Sequence, residues 1–103
     1  ADAVIGDHCI INTGATVDHD CVVGDYCHVA PGVNISGATN IGAGTWVGVG
    51  SCVIQCLNIG QNCMIGAGSV VVKDIPDNVV AYGNPCRIIK KNNIEMSTNF
   101  NSG

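Results

Sequence analysis

The chain has 103 residues, of which 26 are Val or Ile, 14 are Gly and only one, Leu57, is Leu. Its formal net charge is −4, and charged residues make up 12% of it, about half of the roughly 25% that is usual in globular proteins. Because β-branched residues favour strands, this composition argues against a helical protein. An apolar content of 47% with so little charge also excludes a disordered chain.

Charge and cysteine content narrow the classes of function. Only four residues are Lys or Arg, which argues against a surface that binds nucleic acid or an anionic membrane. The apolar runs, at most about five residues long, are too short to span a bilayer or to form a signal peptide. The seven cysteines are odd in number and include no CxxC pair, so we expect a reduced, cytoplasmic protein.

From Ile5 onward the chain reads as twelve consecutive hexads without insertions. Each hexad opens with Val or Ile, at Ile5, Ile11, Val17, Val23, Val29, Ile35, Ile41, Val47, Val53, Ile59, Ile65 and Val71. Four residues later lies a second, mostly small column: Cys9, Ala15, Cys21, Cys27, Val33, Thr39, Thr45, Ser51, Leu57, Cys63, Ser69 and Ile75. Two inward positions in every six residues predict a short strand followed by a turn. The four cysteines of the small column are expected to be buried.

Glycine marks a longer period of 18 residues. Two columns repeat at this spacing: Gly6, Gly24, Gly42 and Gly60, and Gly14, Gly32, Gly50 and Gly68. Three hexads therefore form one coil, which predicts an all-β protein, a triangular parallel β-solenoid of about four coils stacked at the strand spacing of roughly 4.8 Å. Glycine is expected where a corner needs a positive φ or a close approach of two backbones.

The pattern divides the chain into three parts. Residues 1–76 carry the repeat, residues 77–91 are predicted to close the solenoid, and residues 92–103 are predicted to be a flexible tail. At the other end the chain starts inside a repeat. Because a solenoid normally has a cap on its terminal coil, we expect a further domain before Ala1.

The twelve hexads resemble those of the hexapeptide-repeat acyltransferases. The segment YGNPCR at residues 82–87 is similar to the Gly-Asn-Pro-Ala-Lys/Arg ending of that family, so the resemblance covers residues 5 to about 91. It implies a left-handed parallel β-helix, whereas strand-crossover rules alone favour the right hand.

Residues 17–32, VDHDCVVGDYCHVAPG, resemble a narrower group of acetyl-CoA-dependent acetyltransferases. Its members act on nucleotide-linked amino sugars or on sialic acid, and a Rossmann-like domain that binds the sugar nucleotide precedes the helix. The resemblance implies a homotrimer with acetyl-CoA in the groove between neighbouring helices.

His19 lies between Asp18 and Asp20 at a predicted corner. Imidazole titrates near neutral pH, and a neighbouring carboxylate can fix its tautomer, so the residue can act as a base. The resemblance implies that His19 is the general base and that Asp20 orients it. The alternative is a polar corner residue flanked by turn-favouring aspartates.

Gly37 lies one coil above His19. The resemblance implies that its N–H stabilises the oxyanion of the tetrahedral intermediate, and the alternative is a plain turn glycine. His28 belongs to an outward column, Ile10, His28, Trp46 and Met64, whose apolar character indicates a contact surface. Because His28 is half a coil from His19, the two are expected to meet only across a subunit boundary. The resemblance implies that His28 holds the thioester; the alternative is an interface histidine without a chemical role.

By resemblance, backbone groups of Val49 and Ala67 bind the pantetheine arm of acetyl-CoA. Arg87 and Lys90, with Lys91, are candidates for the phosphates of CoA, and the alternative is a solvated basic tail. His8 is expected to be a surface residue.

Two other classes of function remain open at this stage. The β-helical carbonic anhydrases bind zinc through a His-x-x-x-x-His pair and a third histidine, but the histidine spacings here are 11 and 9, so we expect no metal. The second class is a non-catalytic scaffold for assembly. For an acetyltransferase, the amino group of a nucleotide-linked sugar is our first choice of acceptor, and the hydroxyl of a sugar such as sialic acid is the second.

Overall fold

The computed structural model describes residues 3–92 as fourteen β-strands. The first twelve have two residues each and recur every six residues: β1 (Val4–Ile5), β2 (Ile10–Ile11), β3 (Thr16–Val17), β4 (Val22–Val23), β5 (His28–Val29), β6 (Asn34–Ile35), β7 (Asn40–Ile41), β8 (Trp46–Val47), β9 (Cys52–Val53), β10 (Asn58–Ile59), β11 (Met64–Ile65) and β12 (Val70–Val71). Two longer strands follow, β13 (Val79–Gly83) and β14 (Cys86–Lys91). Residues 3–92 contain no helix that is both long and apolar enough to span a bilayer.

Every third strand pairs in parallel, which gives three sheets. Sheet A has the order β1-β4-β7-β10 and sheet C the order β3-β6-β9-β12, while sheet B runs β2-β5-β8-β11 and continues into β13 and β14. The register joins residues 18 apart, for example Ile10 with His28. The chain is therefore a three-sided β-helix of about four coils, and the predicted fold class, a left-handed parallel β-helix, is confirmed.

Three columns of turns connect the sheets. We call them the A–B corner, the B–C corner and the C–A corner; in the first coil they comprise residues 6–9, 12–15 and 18–21. In each strand of the inner coils the second residue is buried and the first faces outward. The buried members of the Val and Ile column form the core: Val23, Val29, Ile35, Ile41, Val47, Val53, Ile59, Ile65 and Val71.

The small inward column supplies hydrogen-bond donors as well as fitting the available space. The side chains of Cys21, Cys27, Thr39, Thr45 and Ser51 each donate to the carbonyl oxygen 15 residues further on, at distances of 2.7 to 3.2 Å. These carbonyl groups lie where each coil turns into a corner, and a buried carbonyl without a partner is costly. Sequence analysis predicted small buried residues here; the structure adds that their thiols and hydroxyls complete the backbone hydrogen bonding.

The two glycine columns have different causes. Gly14, Gly32, Gly50 and Gly68 have φ between +68° and +73°. In the other column a side chain has no room, because a Cβ on Gly24 would lie 2.6 Å from the backbone N of Ala43. Both predicted reasons for glycine are therefore present, one at the B–C corner and one at the A–B corner.

The closing segment continues the stack and then turns back. Ile75 forms a parallel bridge with Ile59, β13 pairs in parallel with β11, and β14 returns antiparallel to β13. Asn92 is held by bonds from its backbone N to Asn78 O (2.8 Å) and from its Nδ2 to Asn62 O (2.9 Å). The rest of the predicted tail, residues 93–103, lies outside the described residues.

Thr45 offers a test of the buried hydrogen bonds. Its Oγ1 donates to Gly60 O (2.7 Å) and accepts from Cys63 N (3.1 Å), and the residue is fully buried. Thr45→Val keeps the shape but leaves two backbone groups unpaired, so the free energy of unfolding should fall by about 2 to 4 kcal/mol in urea titrations followed by circular dichroism. The control Thr45→Ser keeps the hydroxyl and should lose only about 1 kcal/mol for the missing methyl. Equal midpoints for Thr45→Val and the parent chain would refute the role of the hydroxyl.

Candidate active site

His19 lies at the C–A corner, directly after β3. The corner is tied to the next coil by Asp18 N, which donates to Ile35 O (2.9 Å), and by Ala38 N, which donates to His19 O (3.1 Å). Asp20 completes the turn with φ of 59°, a left-handed conformation that Asp adopts more readily than most residues. The side chain of His19 is 67% exposed, and its predicted place at a corner is confirmed.

The carboxylate of Asp18 fixes the ring of His19. Its Oδ1 accepts from the backbone N of His19 (2.7 Å) and lies 2.8 Å from His19 Nδ1. The bond from the backbone N, followed by the bond from the ring, lowers the pKa of Asp18 below its ordinary value of 3.8. An ionised carboxylate can only accept, so the ring proton of neutral His19 resides on Nδ1 and the lone pair on Nε2.

The resemblance predicts Asp20 as the orienting carboxylate, and the structure shows that Asp18 also lies beside the ring. The 2.8 Å contact with Nδ1 belongs to Asp18. The reason is local: an aspartate can bond to the backbone N–H of a residue that closely follows it in a turn, and this places the Asp18 carboxylate beside the imidazole. A role of Asp20 in orienting the base stays a prediction.

Gly37 lies directly over the ring of His19, as predicted. A Cβ on Gly37 would be 3.3 Å from Cε1 and 3.4 Å from Nε2 of His19, so the Nε2 edge faces this glycine. The carbonyl of Gly37 accepts from Cys56 N (3.0 Å), whereas its N–H bonds to no acceptor among residues 3–92. A lone pair that can take a proton and an open N–H that can stabilise a developing negative charge are thus neighbours.

His28 begins β5 on the outer face of sheet B. Its ring stacks on Trp46, with centroids 4.3 Å apart and planes 18° apart, and its Nε2 lies 3.0 Å from Asn12 Nδ2. Sequence analysis missed Asn12. The signal that could have found it is its 18-residue column, in which it is the only member with a polar side chain: Asn12, Ala30, Gly48 and Gly66.

The candidate residues fall into two groups on opposite sides of the prism. His19, Asp20 and Gly37 lie at the C–A corner, which is opposite sheet B in a three-sided helix, and His28 lies on sheet B. The structure therefore supports the expectation that one chain does not bring the two histidines together.

The remaining candidates lie around sheet B and at the end of the stack. Val49 and Ala67 are at the B–C corner, and their N–H groups bond to no acceptor in the described part of the chain. Lys90 pairs with Val80 and so lies at the end of the column that contains His28. Arg87 lines a cleft between β14 and the last C–A turn, together with Lys73, which sequence analysis did not single out.

The described residues form no group of side chains suited to binding a metal ion. Among residues 3–92, no three His, Cys, Asp or Glu side chains are grouped so as to hold a metal ion. Burial raises the pKa of the Cys27 and Cys86 thiols, which disfavours their thiolate forms.

The repeat at the start of the chain matches a known family. The model of the bacterial transferase hexapeptide (six repeats) family matches residues 2–37. These residues carry the hexapeptide repeat of bacterial transferases. Comparison of the sequence with curated proteins gives no significant match.

Solved structures of acetyltransferases share this hexapeptide-repeat helix. One is a histidine-to-asparagine mutant of perosamine N-acetyltransferase from Caulobacter crescentus in complex with CoA and GDP-perosamine; it is 46% identical with a TM-score of 0.86 over 88% of this chain and 43% of that chain. The acetyltransferase domain of PglB from Neisseria gonorrhoeae FA1090, in complex with acetyl coenzyme A, is 41% identical with a TM-score of 0.80, over 84% and 45% of the two chains.

A third similar structure is that of an O-acetyltransferase rather than an N-acetyltransferase. The maltose O-acetyltransferase from Clostridium difficile 630 is 36% identical with a TM-score of 0.80, over 86% of this chain and 58% of that chain. The chain thus spans about half of the length of the structures that it matches.

The contact between Asp18 and His19 predicts a defined tautomer. In ¹⁵N spectra of histidine-labelled protein, His19 should carry its proton on Nδ1, and Asp18→Ala should convert this to a mixture of tautomers because the acceptor is gone. Asp20→Ala is the matched comparison and should leave the tautomer unchanged. The reverse result, with Asp20→Ala alone disturbing His19, would assign the orienting role to Asp20.

The bonds between Asp18 and His19 are expected to depend on pH, because they need the ionised carboxylate. The pKa of Asp18 is lowered, so the ionised form and its bonds to His19 persist as the pH falls to that pKa and are lost below it. The ¹³C resonance of the Asp18 carboxyl should therefore titrate with a midpoint below 3.8. An ordinary or raised midpoint would show that the bonds are absent in solution.

Proposed function

We propose that the protein is an acetyl-CoA-dependent acetyltransferase that transfers the acetyl group to an amino group of a nucleotide-linked sugar. The observation that carries this proposal is the pairing of the Nε2 edge of His19 with the open N–H of Gly37, 18 residues above it. The Caulobacter relative, 46% identical, is in complex with CoA and GDP-perosamine, which supports the same pair of substrates for this chain.

The chemistry is a direct displacement. The amine nitrogen of the acceptor attacks the carbonyl carbon of the thioester while His19 Nε2 takes a proton from that amine. The N–H of Gly37 donates to the oxygen as it becomes negative. The carbon–sulfur bond then breaks, the electron pair leaves with the CoA sulfur, and the imidazolium of His19 returns the proton to it. Asp18 stabilises the imidazolium, and no acyl-enzyme forms.

Residues on and around sheet B are suited to binding acetyl-CoA. Open backbone N–H groups at Val49 and Ala67 match the carbonyl groups of the pantetheine arm. Lys90 and Arg87 supply positive charge for the CoA phosphates in an otherwise acidic chain. His28 lies on the same face and is proposed to contact the thioester.

The site is complete only when two chains meet. His19 and Gly37 are on the opposite side of the prism from His28, so we propose a homotrimer in which the C–A corner of one chain faces sheet B of the next. Ile10, Trp46 and Met64 of sheet B are 52%, 50% and 39% exposed, an apolar surface that such a contact would cover. The seven cysteines, all free thiols, suit our proposal of a cytoplasmic protein.

O-acetylation of a sugar is the second candidate. The likeness to a maltose O-acetyltransferase favours it, because the same base can deprotonate a hydroxyl. The two acceptors are separated by measuring thiol release from acetyl-CoA with GDP-perosamine, which offers an amine, and with maltose, which offers hydroxyls only. A non-catalytic scaffold would bind no acetyl-CoA in calorimetry.

His19→Ala tests the base. Removing it should lower turnover by about 10² to 10⁴-fold, whereas acetyl-CoA binding measured by calorimetry should be unchanged because the proposed contacts lie on and around sheet B, away from the C–A corner. His8→Ala is the matched control, since His8 stacks on Tyr26 at the A–B corner and should leave turnover intact. Full activity of His19→Ala would end the proposal.

Complementation tests the shared site. Light scattering should give three times the mass of the chain. His19→Ala and His28→Ala should each be inactive alone, and an equal mixture should regain activity, because about a quarter of all boundaries then pair an intact His19 with an intact His28. A monomer at micromolar concentration, or mixtures without any recovery, would refute a site shared between chains.

A further inference from the structure

Asn12 makes two contacts with one end of its side chain. It follows β2 directly and lies beside β5 in the next coil. Its Nδ2 donates to the carbonyl oxygen of Val29 (3.3 Å) and lies 3.0 Å from His28 Nε2. The side chain is partly buried, and the two contacts define its orientation.

The carbonyl of Val29 determines which atom of the amide faces the histidine. A carbonyl oxygen only accepts, so the NH₂ group of Asn12 must point toward it; the flipped amide would place two oxygens against each other. The same NH₂ group faces His28, so Nε2 of His28 is the acceptor. Its ring proton therefore resides on Nδ1.

Trp46 restrains the ring in a second way. It lies one coil above His28 on sheet B, and its indole stacks on the imidazole at a centroid distance of 4.3 Å. Stacking sets the plane of the ring, and Asn12 sets which nitrogen carries the proton. The nitrogen of His28 that is left for a ligand is Nδ1–H, a donor.

We propose that Asn12 is a positioning residue that holds His28 as the Nδ1–H tautomer, so that His28 presents a hydrogen-bond donor to the acetyl donor. The link to the acetyl donor rests on the proposed function, whereas the tautomer does not. His19 also carries its ring proton on Nδ1. There, however, Asp18 accepts from the Nδ1–H, so the nitrogen left free is Nε2, a hydrogen-bond acceptor. The two histidines are thereby assigned to different tasks, a base and a donor.

The tautomer can be read directly, because the chain has only three histidines. In long-range ¹H–¹⁵N spectra of the histidine-labelled full chain, the resonances lost in His28→Ala identify His28, and its Nδ1 should be the protonated nitrogen. Asn12→Asp has nearly the same shape but turns the donor into an acceptor, so the proton should move to Nε2. Asn34→Asp, which makes the same change on sheet C, is the control and should leave His28 as it is.

A binding measurement tests what the tautomer is for. Asn12→Asp should weaken acetyl-CoA binding and raise its KM by about tenfold, the value of one lost hydrogen bond, with a smaller effect on kcat. Asn34→Asp should bind acetyl-CoA like the parent chain. A residue with a merely structural role would change neither the tautomer nor KM selectively.

Each outcome has a defined meaning. Protonated Nε2 in the parent chain, or an unchanged tautomer in Asn12→Asp, would overturn the proposal. A moved proton with unaltered acetyl-CoA binding would overturn its functional half. If the parent chain itself binds no acetyl-CoA while the tautomer responds as described, the proposed function fails and the positioning of His28 by Asn12 stands.

Discussion

The structure depends on one constraint, the backbone pairing of residues that are 18 apart. Each corner of the twelve hexads passes the chain from one sheet to the next in the same number of residues, so the ladder keeps one register until the closing segment, where the separation becomes 16 residues. At the C–A corner, Ala38 N bonds to His19 O and Cys56 N bonds to Gly37 O. This line of bonds places Gly37 over the imidazole of His19. A single inserted residue would have to be accommodated at a corner for the later side chains to keep their faces.

This constraint also explains the composition. The interior of the helix is narrow in cross-section. In each coil it has room for one β-branched residue from each strand and one small residue near each corner. At five of these positions the small residue also provides a donor for a corner carbonyl, and Cys, Thr and Ser are the small residues that can do so. The buried thiols of Cys21 and Cys27 thus replace hydroxyls as donors.

Whatever follows from register could be predicted from the sequence, including the three-sided helix, Gly37 above His19 and His28 on the opposite side. The contacts at the corners could not. Asp18 lies against the ring because its carboxylate also accepts from the backbone N–H of His19, a contact local to the turn. The role of Asn12 depends on how an amide is turned, and the donors of the small column depend on carbonyls 15 residues away. The contacts of Asp18 and Asn12 occur once and do not repeat with the hydrophobic pattern; the donors of the small column do repeat, but the pattern predicts only the size of those residues and not the atoms that they bond.

The two histidines show how identical side chains acquire different chemistry on a uniform scaffold. Both rings carry the proton on Nδ1, yet an acceptor, Asp18, occupies this position in His19, and a donor, Asn12, occupies Nε2 in His28. The His19 ring therefore keeps a free lone pair on Nε2, and the His28 ring keeps a free N–H at Nδ1. Because the helix also separates them by half a coil, neither can substitute for the other within a chain. In the proposed acetyl transfer, His28 adds a second hydrogen-bond donor to the N–H of Gly37, and in the proposed homotrimer the contact between neighbouring chains brings this donor to His19.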